Sequence, residues 1–387
     1  MDDVLVVGAG PAGAWAAYNL ARAGARVTIV DGSHPREKPC GGGVTGRALA
    51  LVERAIDTTS LPAAVVDTAR FTESTTAGSA SVALEARGVT ASSALVVASR
   101  AEFDARLLEA AQRAGAALIA ERVTNIGIDG GAVHVDTASG SHRAAFVIGA
   151  DGANSLVRRR MAHAFRRDQL SMATGYFAHG VTSREIVIEI VGDPPGYIWS
   201  FPRPTHLAIG ICAQADAGTT ITALRERTAA WIRATRAAEG ARLEAYSWPI
   251  PSLNATDFSR LTLAGPRWCL AGDAAGLVDP ITREGIFFAL QSGAFAAHAA
   301  LSREPAREYT ARINDAIAPE LRRAALLKAG FFRPRFTRLL IDALQHSAAV
   351  RGVMADLVAG RQSYAGLKWR LARTLQVRLA WRLIRRG

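Results

Sequence analysis

The segment from Asp2 to Asp31 restricts this chain more than any other. DDVLVVGAGPAGAWAAYNLARAGARVTIVD opens on an apolar run, Val4 to Val7, passes a glycine cluster, continues as an alanine-rich stretch of helical length and ends in a β-branched run closed by Asp31. Strand, glycine turn, helix and strand in that order read as a βαβ unit that binds a dinucleotide. Gly8 permits the tight turn, Gly10 lets the backbone approach a pyrophosphate, and Gly13 allows the helix to pack on the strand. Asp31 is placed to accept from a ribose hydroxyl, and the helix N-terminus offers N–H groups and partial positive charge to phosphates.

Later segments return to the same sheet. After the strand-like SALVVAS, Ser99 and Glu102 form a capping-box pattern for a helix with Arg100 in its first turn. A cation there opposes the helix dipole, so Arg100 calls for an anionic partner such as a phosphate, or for solvent. ALIAERVTNIGID, AVHVDTA and AAFVIGA are strand candidates, the last running into Asp151-Gly152. RWCLAGDAAGLVDPITREGIFFAL gives a further strand, Gly272-Asp273, a turn and a long apolar helix after Gly285. Residues 165–260 are rich in strand patterns such as REIVIEIVG and THLAIGICA, interrupted by a helix-like TALRERTAAWIRATRAAEG.

This order of motifs resembles the FAD-dependent flavoproteins of aromatic-hydroxylase-like architecture. The fold it implies is α/β: a Rossmann-type FAD-binding domain assembled from residues 1–66, 99–164 and 261–302. A β-sheet substrate lobe, 67–98 and 165–260, is inserted, and a basic helical segment, 303–387, follows. Carried over residue by residue, Gly8, Gly10, Gly13 and Asp31 would hold the ADP half of FAD. Asp151 would lie near the cofactor and, in the Gly272-Asp273 segment, Asp273 would contact the ribityl chain; the helix-dipole argument above leaves Arg100 to face a phosphate or the flavin edge. The helix after Gly285 would aim its positive end at the pyrimidine edge of the flavin, where charge accumulates on reduction.

Two signatures narrow the resemblance. KPCGGGVT, residues 38–45, and GYIWSFP, residues 196–202, are similar to the KxCGGG and YxWxFP motifs of the geranylgeranyl reductase family, flavoenzymes that hydrogenate carbon–carbon double bonds of isoprenoid chains. In a strand, Tyr197, Trp199 and Phe201 share one face and form an apolar wall, either for a prenyl tail or for an ordinary core. Pro202 ends that strand or marks an edge. Gly41, Gly42 and Gly43 leave a backbone able to press against a flat partner, the flavin ring being the obvious one. An isolated alkene takes up hydride only as a proton reaches its other carbon, and a positioned acid contributes about 10² to 10⁴ in rate. Cys40 and Tyr197 compete for that role. One departure stands in PITREG: Arg283 occupies a position where relatives carry glycine, either to stabilise reduced flavin or to face solvent.

Composition bears on partners. The net charge is +12, and residues 303–387 hold 18 Lys plus Arg against 6 Asp plus Glu, which accounts for the whole surplus. A surplus so localised favours one anionic contact over a nucleic-acid coating. The tail from Gly366 to Gly387 places Leu367, Leu371, Leu375, Leu379 and Leu383 at every fourth position among basic residues, with Trp369 and Trp381 between. It reads as an amphipathic helix that lies on a membrane surface or packs on the protein. Cys40, Cys212 and Cys269 lack metal-type spacing, and MDDVLVVGAG lacks a basic signal region, so a cytoplasmic protein without a bound metal, peripheral on the membrane, is expected. The electron donor, NAD(P)H or a ferredoxin-like protein, has no second dinucleotide fingerprint to identify it. The implied function is hydrogenation of an isoprenoid lipid or quinone side chain; the alternatives are a flavin monooxygenase acting on an apolar substrate and a non-catalytic FAD-containing membrane adaptor.

Overall fold

The computed structural model describes residues 2–74, 78–84 and 95–374. Asp2–Val7 lies inside an eight-stranded sheet, paired in parallel with Val27–Val30 on one side and Ser141–Gly149 on the other. Ala117–Ile119 and Trp268–Leu270 extend the sheet outward, both in parallel. These five strands therefore end on the same edge, where an open α/β sheet binds its ligand. Asn125–Asp129 and Ala132–Asp136 form an antiparallel arm on the early half of Ser141–Gly149.

Small residues draw the helices in. Pro11–Arg22 starts with proline in its first turn and packs along Ile286–Ala300. A Cβ on Gly293 would lie 2.4 Å from Ala12 O, and one on Gly13 only 1.8 Å from Gly8 O. Gly13 thus serves helix packing, as its place in the motif predicts.

A seven-stranded sheet follows the order Arg242–Pro251, Leu170–His179, His206–Gln214, Pro195–Pro202, Glu185–Gly192, Thr68–Glu73, Ser79–Ala83. Its pairs are antiparallel except Glu185–Gly192 with Thr68–Glu73. Pro202 ends a strand that has neighbours on both sides, so it marks no edge. Helix Ile221–Thr235 covers one face, packing Leu224 and Trp231 with Ile198, Ile209 and Ile211.

Val96–Ala98, read from the sequence with the substrate lobe, joins instead a three-stranded sheet with Gly43–Val44 and Ala63–Ala64. The Ala98 amide donates to Gly42 O at 3.0 Å, which ties this strand to the Cys-Gly loop. Among the described residues five helices follow: Pro305–Ala316, Ala318–Phe331, Pro334–His346, Ala348–Val358 and Leu367–Thr374. Ile341, Leu344, Val350 and Met354 pack on Phe71, Val82 and Ile186 of the second sheet. In the last helix Leu367 is buried and Leu371 packs in the same cluster, with Ile281, Ala324 and Val353, so this part of the leucine stripe faces the protein. Leu375, Leu379, Trp381 and Leu383 lie outside the described residues. No helix among the described residues is long and apolar enough to cross a membrane, and none of them group into a metal-binding cluster.

Candidate active site

One cavity of about 840 Å³ runs from the glycine turn of the first sheet to the aromatic face of the second. Gly8, Gly10, Asp31, Arg100, Asp151, Asp273 and Gly285 border it, as do Cys40, Gly41, Gly42, Gly43, Tyr197, Trp199 and Phe201. Gly13 and Gly272 stand behind the wall: a Cβ on Gly272, whose φ is +59°, would meet Ala12 and Ala289 at 3.1 and 3.3 Å.

The dinucleotide end has what FAD requires, with one adjustment. Gly8 adopts φ +103°, and a Cβ there would sit 2.4 Å from Ala150 O, so only glycine makes this turn. Gly10 caps a helix whose first turn, through Pro11 and Ala12, borders the cavity. The Asp31 carboxylate, however, is already well supplied. Oδ2 accepts from the Ala9 amide (2.7 Å) and pairs with His34 Nδ1 (2.8 Å), and Oδ1 accepts from the Ser33 amide and hydroxyl and the His34 amide. Burial works against the charged carboxylate, but His34 and the amides outweigh it and hold Asp31 well below the usual range. A ribose hydroxyl must therefore displace Ser33 or His34. At Asp151, Oδ2 accepts from the Leu156 and Val157 amides at 2.6 and 3.2 Å, while Oδ1 is buried without a partner, an acceptor suited to a cofactor hydroxyl. Burial pushes the Asp151 carboxyl up. Asp273 pairs with Lys38 at 3.1 Å.

Arg100 has found its anion within the chain. Nε and Nη2 reach Asp104 at 3.0 and 2.8 Å, and both side chains are buried. Burial disfavours the guanidinium cation, yet Asp104 and then Cys40 raise its pKa overall. The capping box is half realised: Ser99 Oγ accepts from the Glu102 amide, but Glu102 turns to Arg106. Glu37, from the loop before Cys40, binds the Ser99 hydroxyl and the amides of Arg100 and Ala101. An acid at the helix N-terminus thus comes from a distant loop.

The Cys-Gly loop is shaped by the protein as much as by any ligand. A Cβ on Gly42, at φ +84°, would lie 2.3 Å from Arg203 Cζ, and one on Gly41 would lie 3.1 to 3.3 Å from the Phe201 ring. The missing side chains of these two glycines make room for Arg203 and Phe201, which corrects the expectation that all three spare a flavin ring. Arg203 is 0 % exposed and donates to Cys40 O (2.9 Å) and Ala98 O, with Glu37 2.9 Å away. Replacing Arg203 by methionine removes the cation beside Glu37, which keeps only Ser99 and two amides, and takes the guanidinium from two carbonyls, and should cost about 3 to 5 kcal/mol in a denaturant titration; a loss below ~1 kcal/mol contradicts this reading.

The aromatic wall has the expected period. Tyr197 and Trp199 meet edge to face at 5.9 Å, and with Phe201 they join the cluster of Phe177 and Tyr246. Gly210, opposite Trp199, makes room for its ring: a Cβ would lie 2.5 Å away. Tyr197 OH donates to Thr282 O at 3.2 Å, and burial, then the Cys212 thiol, push its phenol well above the usual range, which keeps it protonated. Cys40 Sγ accepts from the Gly42 amide at 3.2 Å.

Sequence reasoning missed Glu37, Asp104, Arg203 and Glu284. Glu284 binds Thr45 Oγ1 (2.7 Å) and Arg47 and joins the TREG turn to the loop. The nearest signal was Arg100, a first-turn cation asking for an acid four residues on, which Asp104 supplies.

Comparison with known proteins agrees with this geometry. A family model described as FAD binding domain matches residues 1–302. A geranylgeranyl diphosphate reductase of Rhodobacter capsulatus is 31% identical over 316 residues, covering 78% of this chain and 75% of the relative. A menaquinone reductase of Mycolicibacterium smegmatis is 30% identical over 312 residues, 76% of this chain and 75% of the relative. Among solved structures, a geranylgeranyl bacteriochlorophyll reductase-like protein of Thermoplasma acidophilum superposes with a TM-score of 0.80 at 23% identity, over 97% of this chain and 99% of that one. A flavin-dependent brominase shares the fold at a TM-score of 0.70 and 19% identity, over 96% and 98%. With FAD motifs, a Cys-Gly loop and an aromatic face meeting in one cavity, the chain belongs to the geranylgeranyl reductase family of FAD-dependent oxidoreductases.

Proposed function

We propose that this oxidoreductase hydrogenates carbon–carbon double bonds in an isoprenoid chain of a lipid or quinone. The observation that carries the reading is the continuity of one cavity: the dinucleotide turn, Cys40 and the wall of Tyr197, Trp199 and Phe201 border the same space. Farther along, Phe71, Ile188, Ile190, Phe331, Met354 and Leu357 continue the apolar lining. Each methylene buried there gains about 0.8 kcal/mol, which suits a prenyl tail.

Bound FAD, when reduced, supplies the hydride. The chain's part is to hold the alkene, exclude water and deliver a proton to the second carbon. Tyr197 donates its O–H to Thr282 O, whereas Cys40 Sγ accepts from the Gly42 amide and borders the cavity. Cys40 is thus the proposed acid and Tyr197 a wall residue. Tyr197→Phe should lower the single-turnover rate by less than about tenfold; a fall of about 10² or more reverses the assignment. The reading itself is tested by mixing dithionite-reduced, FAD-loaded protein with a geranylgeranyl lipid under strict exclusion of oxygen. Return of the oxidised flavin spectrum in proportion to added lipid supports it; a spectrum that stays reduced with every isoprenoid offered opposes it. NAD(P)H or a ferredoxin-like protein is the proposed donor in the cell.

A peripheral membrane contact belongs to the same proposal. Phe336 and Leu339 are exposed on Pro334–His346 beside the exposed Arg333, Arg335 and Arg338, none of which pairs with a described carboxylate within 4 Å. Phe336 touches Phe331, which borders the cavity, with ring centroids 5.6 Å apart. Trp369, 77% exposed, lies on the other side of its helix from the buried Leu367. Such a surface suits an anionic bilayer, where each arginine contributes about 1 kcal/mol. Arg335→Glu with Phe336→Ser should weaken sedimentation with anionic vesicles at least about tenfold; unchanged sedimentation removes this contact from the account.

A further inference from the structure

Arg283 adopts a left-handed backbone of the kind glycine favours: its φ is +62°. A non-glycine residue holds that conformation only where its surroundings impose it. Two contacts do so. The Arg283 amide donates to Asp279 O at 3.0 Å, and Nη1 donates to Ser252 Oγ at 2.5 Å. Lys328, from helix Ala318–Phe331, donates to the same Oγ at 2.7 Å, to Ser252 O at 3.2 Å and to Gln214 Oε1 at 2.9 Å. Ser252 is fully buried, so two cations converge on one hydroxyl out of reach of solvent. Neither cation has a described carboxylate within 4 Å, and Arg283 Nε is buried without a hydrogen-bond partner. Arg283 borders the cavity in the turn Thr282 to Gly285 that leads into helix Ile286–Ala300.

Two like charges held together under the wall of a cavity are unfavourable unless an anion faces them. We propose that Arg283 and Lys328, joined through Ser252, form a paired cationic device that favours the reduced form of bound FAD over the oxidised form. Two-electron reduction with uptake of one proton leaves the cofactor one unit more negative, and a nearby cation pair stabilises that charge. The electrons come from the enzyme's donor or, in the test, from dithionite; the proton comes from solvent.

The charge of Lys328 is adjustable. Burial and then Arg283 push its ammonium down to about 7, against the opposing pull of Asp216, Cys212 and Asp257. Asp279 and Glu284 flank Arg283, the latter paired with Arg47, and Tyr197 lies beside Cys212. Negative charge arriving on the cofactor raises the proton affinity of Lys328. Reduction therefore takes up an additional proton above neutral pH, and the potential falls more steeply with pH there than below.

The inference rests on FAD binding and not on the isoprenoid reading, because no alkene enters its test. FAD-loaded protein is titrated with dithionite against a redox dye across neutral and alkaline pH, with FAD content measured throughout. Arg283→Gly, which suits the local φ, and Lys328→Met should each weaken the preference for reduced FAD about tenfold, a fall of about 30 mV for a two-electron couple. Lys328→Arg should keep the potential and lose the steeper segment, a result that a merely structural lysine would not give. Wild-type potentials in both Arg283→Gly and Lys328→Met, or an unchanged pH slope in Lys328→Met, overturn the proposal.

Discussion

Cys40→Ala is expected to lower alkene reduction by about 10² to 10⁴ while leaving FAD content and flavin reduction by dithionite unchanged. The thiol borders the cavity that the dinucleotide turn and the aromatic wall also line, and its Sγ accepts from the Gly42 amide at 3.2 Å. Loss of the thiol removes a proton donor but little packing, since Cys40 is only partly buried. The deficit should therefore appear in the chemical step, as a lower single-turnover rate with little change in substrate affinity. Cys40→Ser, which restores a donor of weaker acidity, should recover part of the rate. A Cys40→Ala enzyme that reduces the alkene at the normal rate would take the cysteine out of the chemistry and leave Tyr197 or a bound water as the proton source.

Gly42→Ala is expected to be the most damaging single methyl group in the loop. The residue sits at φ +84°, which costs a side chain about 1 to 2 kcal/mol. Its Cβ would also fall 2.3 Å from Cζ of the fully buried Arg203. The guanidinium cannot retreat without giving up Glu37, Ala98 O or Cys40 O. Overpacking adds about 1 to 3 kcal/mol, so a total near 3 kcal/mol or more should register as lost FAD and a lower denaturant midpoint. Gly41→Ala meets only the Phe201 ring, at 3.1 to 3.3 Å, and should be milder. Equal stability of Gly42→Ala and the wild type would show that the loop is not pinned by Arg203.

The contrast between these two residues shows what the sequence carried and what it did not. Gly8, Asp31, Asp151 and Asp273 were legible because each follows a strand of one parallel sheet, and parallel strands end on one edge whatever their separation in sequence. Tyr197, Trp199 and Phe201 were legible for a similar reason, since the pleat alone decides that they share a face. The glycines of the loop were identified for closeness of approach, but the partner was misjudged for Gly41 and Gly42. Arg203 is separated from Gly42 by most of the second sheet's strands, and nothing local marks it as a buried guanidinium. Glu37, which caps helix Arg100–Arg113 from outside, and Lys328, which meets Arg283 across Ser252, are pairings of the same long-range kind. The periodicity of the tail left a membrane surface and the protein itself as alternatives, and its described turns use Leu367 and Leu371 to dock on the protein. An amphipathic stripe does not state which apolar surface covers it.

The most direct test of the central claim is the mass of the product. A geranylgeranyl lipid or a menaquinone is incubated with FAD-loaded, dithionite-reduced protein in the absence of oxygen and examined by mass spectrometry. Gains in steps of about 2 Da, abolished or strongly slowed in Cys40→Ala, are the result expected for hydride and proton addition across chain double bonds. No change without oxygen, together with a gain of about 16 Da in air with NAD(P)H, would identify a monooxygenase and contradict the account.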